Sequence, residues 1–279
     1  MARLALAGSY YHLSGLTILH GGKAEQIEVP RSGSDRNRAG GRKRTRMVPI
    51  LDCGDFVFLP RHGLGHYVPP HHIDHGANLR ALDRLGCDRV LAIGSVGSLS
   101  PDVGVGSFLC PDDFIALDTS VTTFNDERGH RIVAFDEGWR RHLVARWREW
   151  TNAELGTRGV YWQTVGPRLE TPAEVRLIAQ HADVVGMTIA SECVIAAEFH
   201  IRYAAICVVD NLANGLDRHL SMERVDANRV SNRERLDAAL KAVVPPLAEE
   251  VRDDGAVRDI AEHVPHFHRE RERTPEGTA

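Results

Sequence analysis

The chain has 279 residues, of which 43% are hydrophobic and 26% are charged, as is typical of a globular domain. Its net charge of −4 provides no global basic field, which argues against nucleic acid as a partner. No apolar run approaches the roughly 18 residues that a membrane span needs, and the apolar N-terminus is too short for a signal peptide. We therefore expect a cytoplasmic protein with no membrane association.

The cysteines favour the same compartment. An odd number of them without a Cys-x-x-Cys pair is typical of free thiols in a reducing environment. The five positions are Cys53, Cys87, Cys110, Cys193 and Cys207.

Predicted strands alternate with predicted helices along the chain. The strands are expected at 4–7, 56–59, 90–93, 107–110, 114–117, 160–165, 184–187 and 204–209. The helices are expected at 73–85, at 139–155, from Thr171, from Met187 through Ala197, and from Ser221 with a break near Pro245 and Pro246. The alternation predicts a single α/β domain with a central mixed sheet over residues 1–254, and the tail 255–279 is expected to be disordered.

A basic segment, 31–46, interrupts this pattern. This segment contains seven arginines or lysines but a single acid, Asp35, together with three glycines, and it shows no hydrophobic periodicity. This composition predicts an exposed loop, with an anion funnel or a partner-binding patch as the functional alternative.

Small or polar residues follow five of the predicted strands. After the apolar run 90–93 come two glycines and two serines within 94–98, and the glycines allow a ligand to approach the backbone closely. Turned amides of this kind bind anions, although glycine and serine also end strands simply because they favour turns. The residues after the other four strands are Ser9, Arg61 with His62, Met187 with Thr188, and Asp210 with Asn211.

These residues are expected to share one pocket, because the carboxyl ends of parallel strands meet at one edge of a sheet. Hydroxyls, free amides, an imidazole and a guanidinium together suit a phosphate dianion. Arg61 could contact two phosphate oxygens at once.

The chain from about residue 4 to 250 resembles the trimeric purine nucleoside phosphorylases, and among them the methylthioadenosine/methylthioinosine phosphorylase branch. The joint order and spacing of several short motifs carry this resemblance. They are Ala7-Gly8-Ser9, Leu59-Pro60-Arg61-His62-Gly63 with His66, 77–82, Gly97-Ser98-Leu99, Gly166-Pro167-Arg168, Ala173-Glu174, Gly186-Met187-Thr188 and 211–215.

The resemblance implies the nucleoside phosphorylase fold, with a partly barrel-like sheet. It also implies phosphate-dependent cleavage of a purine nucleoside to free base and pentose-1-phosphate. Inorganic phosphate would be a co-substrate, with no other cofactor, and the protein would be a homotrimer or a dimer of trimers.

The same resemblance assigns roles to individual residues. It implies catalytic roles for Asn211 and His62, and places His130 at a neighbouring subunit's site. Phosphate would be bound by Ser9, Arg61, His62, Ser95 and Thr188. Ribose would contact Met187 and His66, and the base would contact Val96, Gly97, Leu169, Glu170, Asn211 and Ala213.

The base-binding positions bear on the substrate. Asn211 and Ala213 stand where methylthioadenosine phosphorylases usually have aspartates, and Glu170 matches the glutamate of the 6-oxopurine enzymes. Both features favour a 6-oxopurine nucleoside over an adenine-type one, with a 5′-modified nucleoside such as methylthioinosine among the candidates. Gly94, Leu169 and Asp210 depart from the family pattern. Methylthioadenosine phosphorolysis, hydrolysis by water and non-catalytic nucleoside or phosphate binding therefore remain alternatives.

A cluster of possible metal ligands lies at His71, His72, Asp74 and His75. His71 and His75 are one helical turn apart and could share a face. No further ligand set accompanies them, so the sequence predicts no metal site.

Overall fold

The computed structural model describes residues 2–9, 15–30, 45–124, 126–216 and 220–253. Eleven strands within these ranges form one mixed sheet. They are β1 Arg3–Gly8, β2 Lys23–Pro30, β3 Thr45–Asp52, β4 Phe56–Pro60, β5 Cys87–Ser98, β6 Phe108–Leu109, β7 Asp113–Ile115, β8 Leu155–Gly156, β9 Val160–Gln163, β10 Val184–Gly186 and β11 Arg202–Leu212. The described helices are α1 His75–Arg84, α2 Glu137–Trp150, α3 Pro172–Ile178, α4 Ile189–Glu198 and α5 Met222–Asp253. The predicted α/β class with a central mixed sheet flanked by helices is confirmed.

Strand β5 is the centre of the sheet. One of its edges pairs with β11 in parallel from Arg89 to Ser98. The other edge pairs with β1 in parallel as far as Ala92, and then with β10 in antiparallel orientation at Gly97 and Ser98. Between these two pairings, over residues 93–96, no strand of the described chain covers this edge.

Alternate residues of the central strands enter two separate cores, because the sheet is covered on both faces. In β1, Ala5 contributes to the core that contains α1 and α4, whereas Leu4 contributes to the core that contains α2 and α5. Two tryptophans of α2, Trp139 and Trp147, are buried in the second core. The loops at the carboxyl ends of the strands are therefore attached to a sheet that is packed on both faces.

Two predictions about the helices are wrong, one on the bounds of a helix and one on a break within a helix. The helix expected at 139–155 spans Glu137–Trp150, since Asp136 accepts a hydrogen bond from the Trp139 amide as its N-cap and the following residues lead into β8. The break expected near Pro245 and Pro246 does not occur, because both prolines lie inside α5. Buried residues on either side of the prolines pack against the sheet and hold the helix continuous.

Other differences concern extent. β5 continues five residues beyond the predicted 90–93, because pairing with β11 keeps the glycines and serines of 94–98 in the strand. The β2–β3 hairpin was not predicted. Most of the basic segment, 31–44, lies outside the described residues, as does the predicted tail, while Arg46 belongs to β3. None of the described helices combines the length and apolarity that crossing a membrane requires.

Candidate active site

The uncovered edge of β5 forms the floor of a cavity between the sheet and α5. The elements around it bring together twelve of the residues that the sequence nominates. These are Ser9, Arg61, His62, Ser95, Val96, Gly97, Leu169, Glu170, Met187, Thr188, Asn211 and Ala213. His66 and His130 are exposed and do not line this cavity, so their predicted contacts with ribose and with a neighbouring subunit stay predictions.

Adjacent strand ends bring Ser9 and Arg61 side by side. β1 and β4 run parallel with Gly8 opposite Pro60, and the Arg61 amide donates to the Gly8 carbonyl at 2.9 Å. Both side chains are buried, with 7% of Ser9 and 4% of Arg61 exposed. The parallel register thus carries residues from distant parts of the sequence to one end of the sheet, as expected for an α/β fold.

Arg61 makes its two-oxygen contact with Glu192 of α4, a residue that the sequence reasoning missed. Nε and Nη2 each donate to one carboxylate oxygen at 2.7 Å, and Nη1 donates to the Ile93 carbonyl at 2.7 Å. Although burial alone raises the pKa of Glu192, the adjacent Arg61 lowers it below its ordinary value. The salt bridge ties α4 to the uncovered edge of β5, and no pattern of spacing in the sequence would have paired these residues.

His62 is held as a neutral imidazole. Burial lowers its pKa to about 4, outweighing its hydrogen bond to the Val68 carbonyl. That carbonyl is 2.8 Å from Nδ1 and can only accept, so Nδ1 carries the proton and Nε2 is left with a lone pair. The ring also stacks on Tyr67 with centroids 5.2 Å apart.

Thr188 is the residue that precedes helix α4. Its side chain makes no cap hydrogen bond, although hydroxyls at this position commonly do. Its amide lies 3.2 Å from the Tyr161 hydroxyl, which fixes the backbone. The Thr188 hydroxyl is therefore available at the cavity wall, next to Met187.

Asn211 and Gly97 are in direct contact across the β5–β11 pair. A methyl group at Gly97 would lie 3.1 Å from Asn211 Nδ2 and 3.3 Å from Val185. Nδ2 donates to the Leu212 carbonyl at 2.9 Å, which leaves its second N–H for a ligand. Because Gly97 has no side chain, Asn211 and Val185 can lie close to its backbone. The part of the cavity lined by Gly97, Asn211 and Glu170 is called the slot below.

Glu170 stands at the other end of this slot and is only 8% exposed. One carboxylate oxygen accepts from the Thr164 hydroxyl at 2.7 Å, and the backbone carbonyl accepts from Asn214 at 3.1 Å. The second carboxylate oxygen has no hydrogen bond within the described chain. Leu169 lies at the mouth of the cavity with 42% of its surface exposed.

Asp210 enters the cavity because of a bulge in β11. Val209 faces Val96 and Asn211 faces Gly97, so Asp210 is an extra residue and two consecutive side chains line the same cavity. Its carboxylate accepts from the Ser95 hydroxyl and, at 2.8 Å, from Asn232. Burial raises the pKa of Asp210 despite these hydrogen bonds. The bulge supplies a physical reason for this departure that the sequence alone does not.

The sequence predicts no metal site at the histidines around the start of α1. No group of three or more potential metal ligands occurs in the described residues. The rings of His71 and His72 contact one another in a tilted arrangement with centroids 4.0 Å apart, and His75 is buried.

Comparison with known proteins identifies the family of this chain. A family model described as "Phosphorylase superfamily" matches residues 27–245. A probable 6-oxopurine nucleoside phosphorylase of Archaeoglobus fulgidus is 38% identical over 205 residues, which cover 74% of this chain and 80% of that protein. An S-methyl-5′-thioadenosine phosphorylase of Hyperthermus butylicus is 37% identical over 201 residues, covering 70% and 73%.

The fold has a solved counterpart in methylthioadenosine phosphorylase from Schistosoma mansoni in complex with adenine. The two chains align with a TM-score of 0.69 at 21% identity, covering 91% of this chain and 97% of that one. The chain therefore belongs to the phosphorylase superfamily, and within it to the nucleoside phosphorylase family of enzymes.

Proposed function

We propose that this protein cleaves 6-oxopurine nucleosides with inorganic phosphate, giving the free base and a pentose-1-phosphate. The observation that carries the proposal is the meeting of two kinds of residue in one cavity. Residues whose groups can bind an anion lie along the uncovered edge of β5, and the same cavity contains the slot bounded by Asn211 and Glu170. The relative from Archaeoglobus fulgidus, named as a probable 6-oxopurine enzyme, supports the same substrate class.

In this reaction a phosphate oxygen attacks the anomeric carbon of the sugar and forms the new C–O bond. The glycosidic C–N bond breaks, and its electron pair leaves with the purine. Positive charge develops on the sugar meanwhile, so a phosphate anion fixed beneath the ring both stabilises that charge and supplies the nucleophile. Met187, a soft apolar side chain, would pack on the sugar face.

Phosphate would occupy the uncovered edge of β5, near Ser9, His62, Ser95 and Thr188. A neutral His62 with a free lone pair on Nε2 would accept a hydrogen bond from a protonated phosphate oxygen. Arg61 directs its two-oxygen contact to Glu192, which compensates its charge, so its contribution to phosphate would come from its remaining N–H donor.

The purine would lie in the slot over Gly97, with Val96, Leu169 and Ala213 around it. The free N–H of Asn211 would donate to the imidazole nitrogen or keto oxygen of the base and stabilise the negative charge of the leaving group. The unpaired oxygen of Glu170 would accept from the ring N–H. Adenine lacks that ring N–H, and leaving a buried polar group unpaired costs about 1–3 kcal/mol.

The proposal includes a homotrimer. Two large apolar side chains are unusually exposed, Ile132 at 95% and Leu117 at 79%, as expected for residues that a second subunit covers. Sedimentation equilibrium tests this, and a monomer at micromolar concentration would contradict it. A domain limit at residue 254 and a cytoplasmic location stay predictions.

The proposed reaction is tested by measuring release of free base from inosine, guanosine, adenosine and their 5′-methylthio forms, with and without phosphate. We expect phosphate-dependent release from the oxopurine nucleosides, with adenosine slower by at least tenfold. A preference for adenine nucleosides would overturn the assigned base but not the reaction. Binding of all six compounds without release of base would favour a non-catalytic binding protein.

A further inference from the structure

Helix α5 lines the cavity with one face. Arg229, Asn232, Arg233 and Leu236 have the spacing i, i+3, i+4 and i+7, which places them on the same side of an α-helix. Asn232 and Leu236 are buried, whereas the two arginines are partly exposed. None of the four has a role in the proposed reaction as described so far.

The arginines of the cavity differ in their charge partners. Arg61 is paired with Glu192, and Arg229 Nε lies 3.7 Å from a carboxylate oxygen of Asp210. Arg233 forms no ion pair with any acidic side chain among the described residues. Within that part of the chain, it is the cavity-lining arginine whose positive charge is not compensated.

Two polar atoms of cavity-lining residues are buried without a hydrogen-bond partner in the described chain. They are Nε of Arg233 and the hydroxyl oxygen of Ser9, a residue of which only 7% is exposed. Buried polar groups are nearly always hydrogen-bonded, so two such groups in one cavity indicate that a ligand or ordered water pairs with them.

The backbone at Gly15 leaves room for the Arg233 side chain. A Cβ at position 15 would stand 2.9 Å from Arg233 Nη1 and 3.0 Å from its Cδ. Because glycine has no Cβ, the guanidinium can lie against this backbone. The Arg233 side chain is thus positioned by the chain that follows Ser9 as well as by α5.

We propose that Arg233, together with the Ser9 hydroxyl, binds a phosphoryl group in this cavity. This inference rests on the proposed function, because it adds a cationic ligand from α5 to the phosphate-binding residues of the sheet edge. A planar guanidinium suits phosphate oxygens, and the group has no competing carboxylate in the described chain. Inorganic phosphate and the 5′-phosphoryl group of a nucleotide present the same chemistry to Arg233.

The test is isothermal titration calorimetry of the full chain, with inorganic phosphate in one arm and inosine 5′-monophosphate in the other. Arg233→Gln removes the charge, and Arg233→Lys keeps the charge while losing the planar fork. Arg224→Gln is the matched control, since Arg224 is an exposed residue of α5 that does not line the cavity. Thermal unfolding establishes that each variant is folded.

Arg233→Gln is expected to weaken binding about 10- to 100-fold, the effect of losing a hydrogen bond to a charged group. Arg233→Lys should show a smaller loss, and Arg224→Gln should bind as the unmodified protein does. A loss for inorganic phosphate assigns Arg233 to the co-substrate, whereas a loss for the nucleotide alone assigns it to a 5′-phosphoryl group. Unchanged affinity in both arms overturns the inference.

The calorimetry does not depend on catalysis, so the two proposals can fail separately. Binding that depends on Arg233 without release of base from any nucleoside would leave the inference standing and reject the reaction. Phosphate-dependent release with equal phosphate affinity in Arg233→Gln would do the reverse.

Discussion

The Arg61 guanidinium and the Glu192 carboxylate meet in a two-point salt bridge with both contacts at 2.7 Å and almost no exposed surface on either side chain. The Tyr203 hydroxyl donates to the same carboxylate at 2.8 Å. This pair connects the end of β4 with α4. The Nη1 group of Arg61 meanwhile donates to the Ile93 carbonyl on the uncovered edge of β5. The end of the cavity where we propose that phosphate binds therefore depends on an internal ion pair that sequence motifs did not reveal.

Replacing Glu192 by glutamine tests the importance of this pair. The variant leaves a buried, uncompensated guanidinium, so the free energy of unfolding should fall by about 3–5 kcal/mol in urea denaturation. Glu149→Gln is the control, because the Glu149–Arg146 pair is exposed and should contribute at most about 1 kcal/mol. Equal effects of the two variants would contradict a structural role for the buried pair.

Gly97→Ala tests whether the base lies over Gly97 in the slot. The added methyl group would lie 3.1 Å from Asn211 Nδ2, so either the amide moves or the base is displaced. A displacement of about 1 Å can reduce catalysis about 100-fold, and we expect kcat/KM for inosine to fall by 10- to 100-fold. Gly104→Ala, at a position with open space around it, should have no effect. A fully active Gly97→Ala variant would show that the base does not occupy this slot.

Glu170→Gln tests the recognition of the base. The change replaces one carboxylate oxygen, which accepts hydrogen bonds, by an NH2 group, which donates them. We therefore expect kcat/KM for inosine to fall by about 10- to 100-fold, while any activity with adenosine changes little. Glu174→Gln serves as the control in the same segment, because Glu174 is only partly buried and its side chain caps α3. If both substrates lose activity equally, Glu170 does not discriminate between bases.

The stability of the protein should fall in mild acid because of two buried histidines. Burial lowers the pKa of His62 and of His75 to about 4, whereas the ordinary value is 6.5. The unfolded chain therefore binds protons first, and stability that is complete above pH 6.5 is lost as the pH falls towards 4, by up to about 1.4 kcal/mol per pH unit for each histidine.

Urea denaturation at intervals between pH 7 and 5 measures this dependence. His75→Gln removes one of the two groups, so its free energy of unfolding should vary less with pH than that of the unmodified protein. Identical pH dependence in the two proteins would show that His75 is not a buried neutral group.

Most of the candidate site was predictable because the sequence places its residues directly after apolar strands. Ser9 and Arg61 directly follow β1 and β4, and Asn211 is the second-last residue of β11. These strands run parallel and end at one edge of the sheet, so the proximity of the three residues follows from the fold class. Glu192 and Arg233 were not predictable in this way. Both lie within helices, and only packing against the sheet determines that Glu192 meets Arg61 and that Arg233 lines the cavity.

The errors in the fold have a related cause. Pro245 and Pro246 each remove a helical hydrogen bond, which locally favours a break. Buried neighbours such as Val244 and Leu247 nonetheless pack in the core beneath α5, and this packing outweighs the local preference. Gly94 likewise has a poor strand propensity, yet pairing with β11 on one edge keeps it within β5.

The most direct test of the account is to incubate inosine and inorganic phosphate with the protein, following phosphate esters by phosphorus NMR and free hypoxanthine by liquid chromatography. We predict a new sugar phosphate signal that grows in a 1:1 ratio with free hypoxanthine, and no hypoxanthine when phosphate is omitted. Hypoxanthine released without any new phosphate ester would mean that water is the nucleophile, and it would contradict the central claim that this cavity binds phosphate for attack on the sugar.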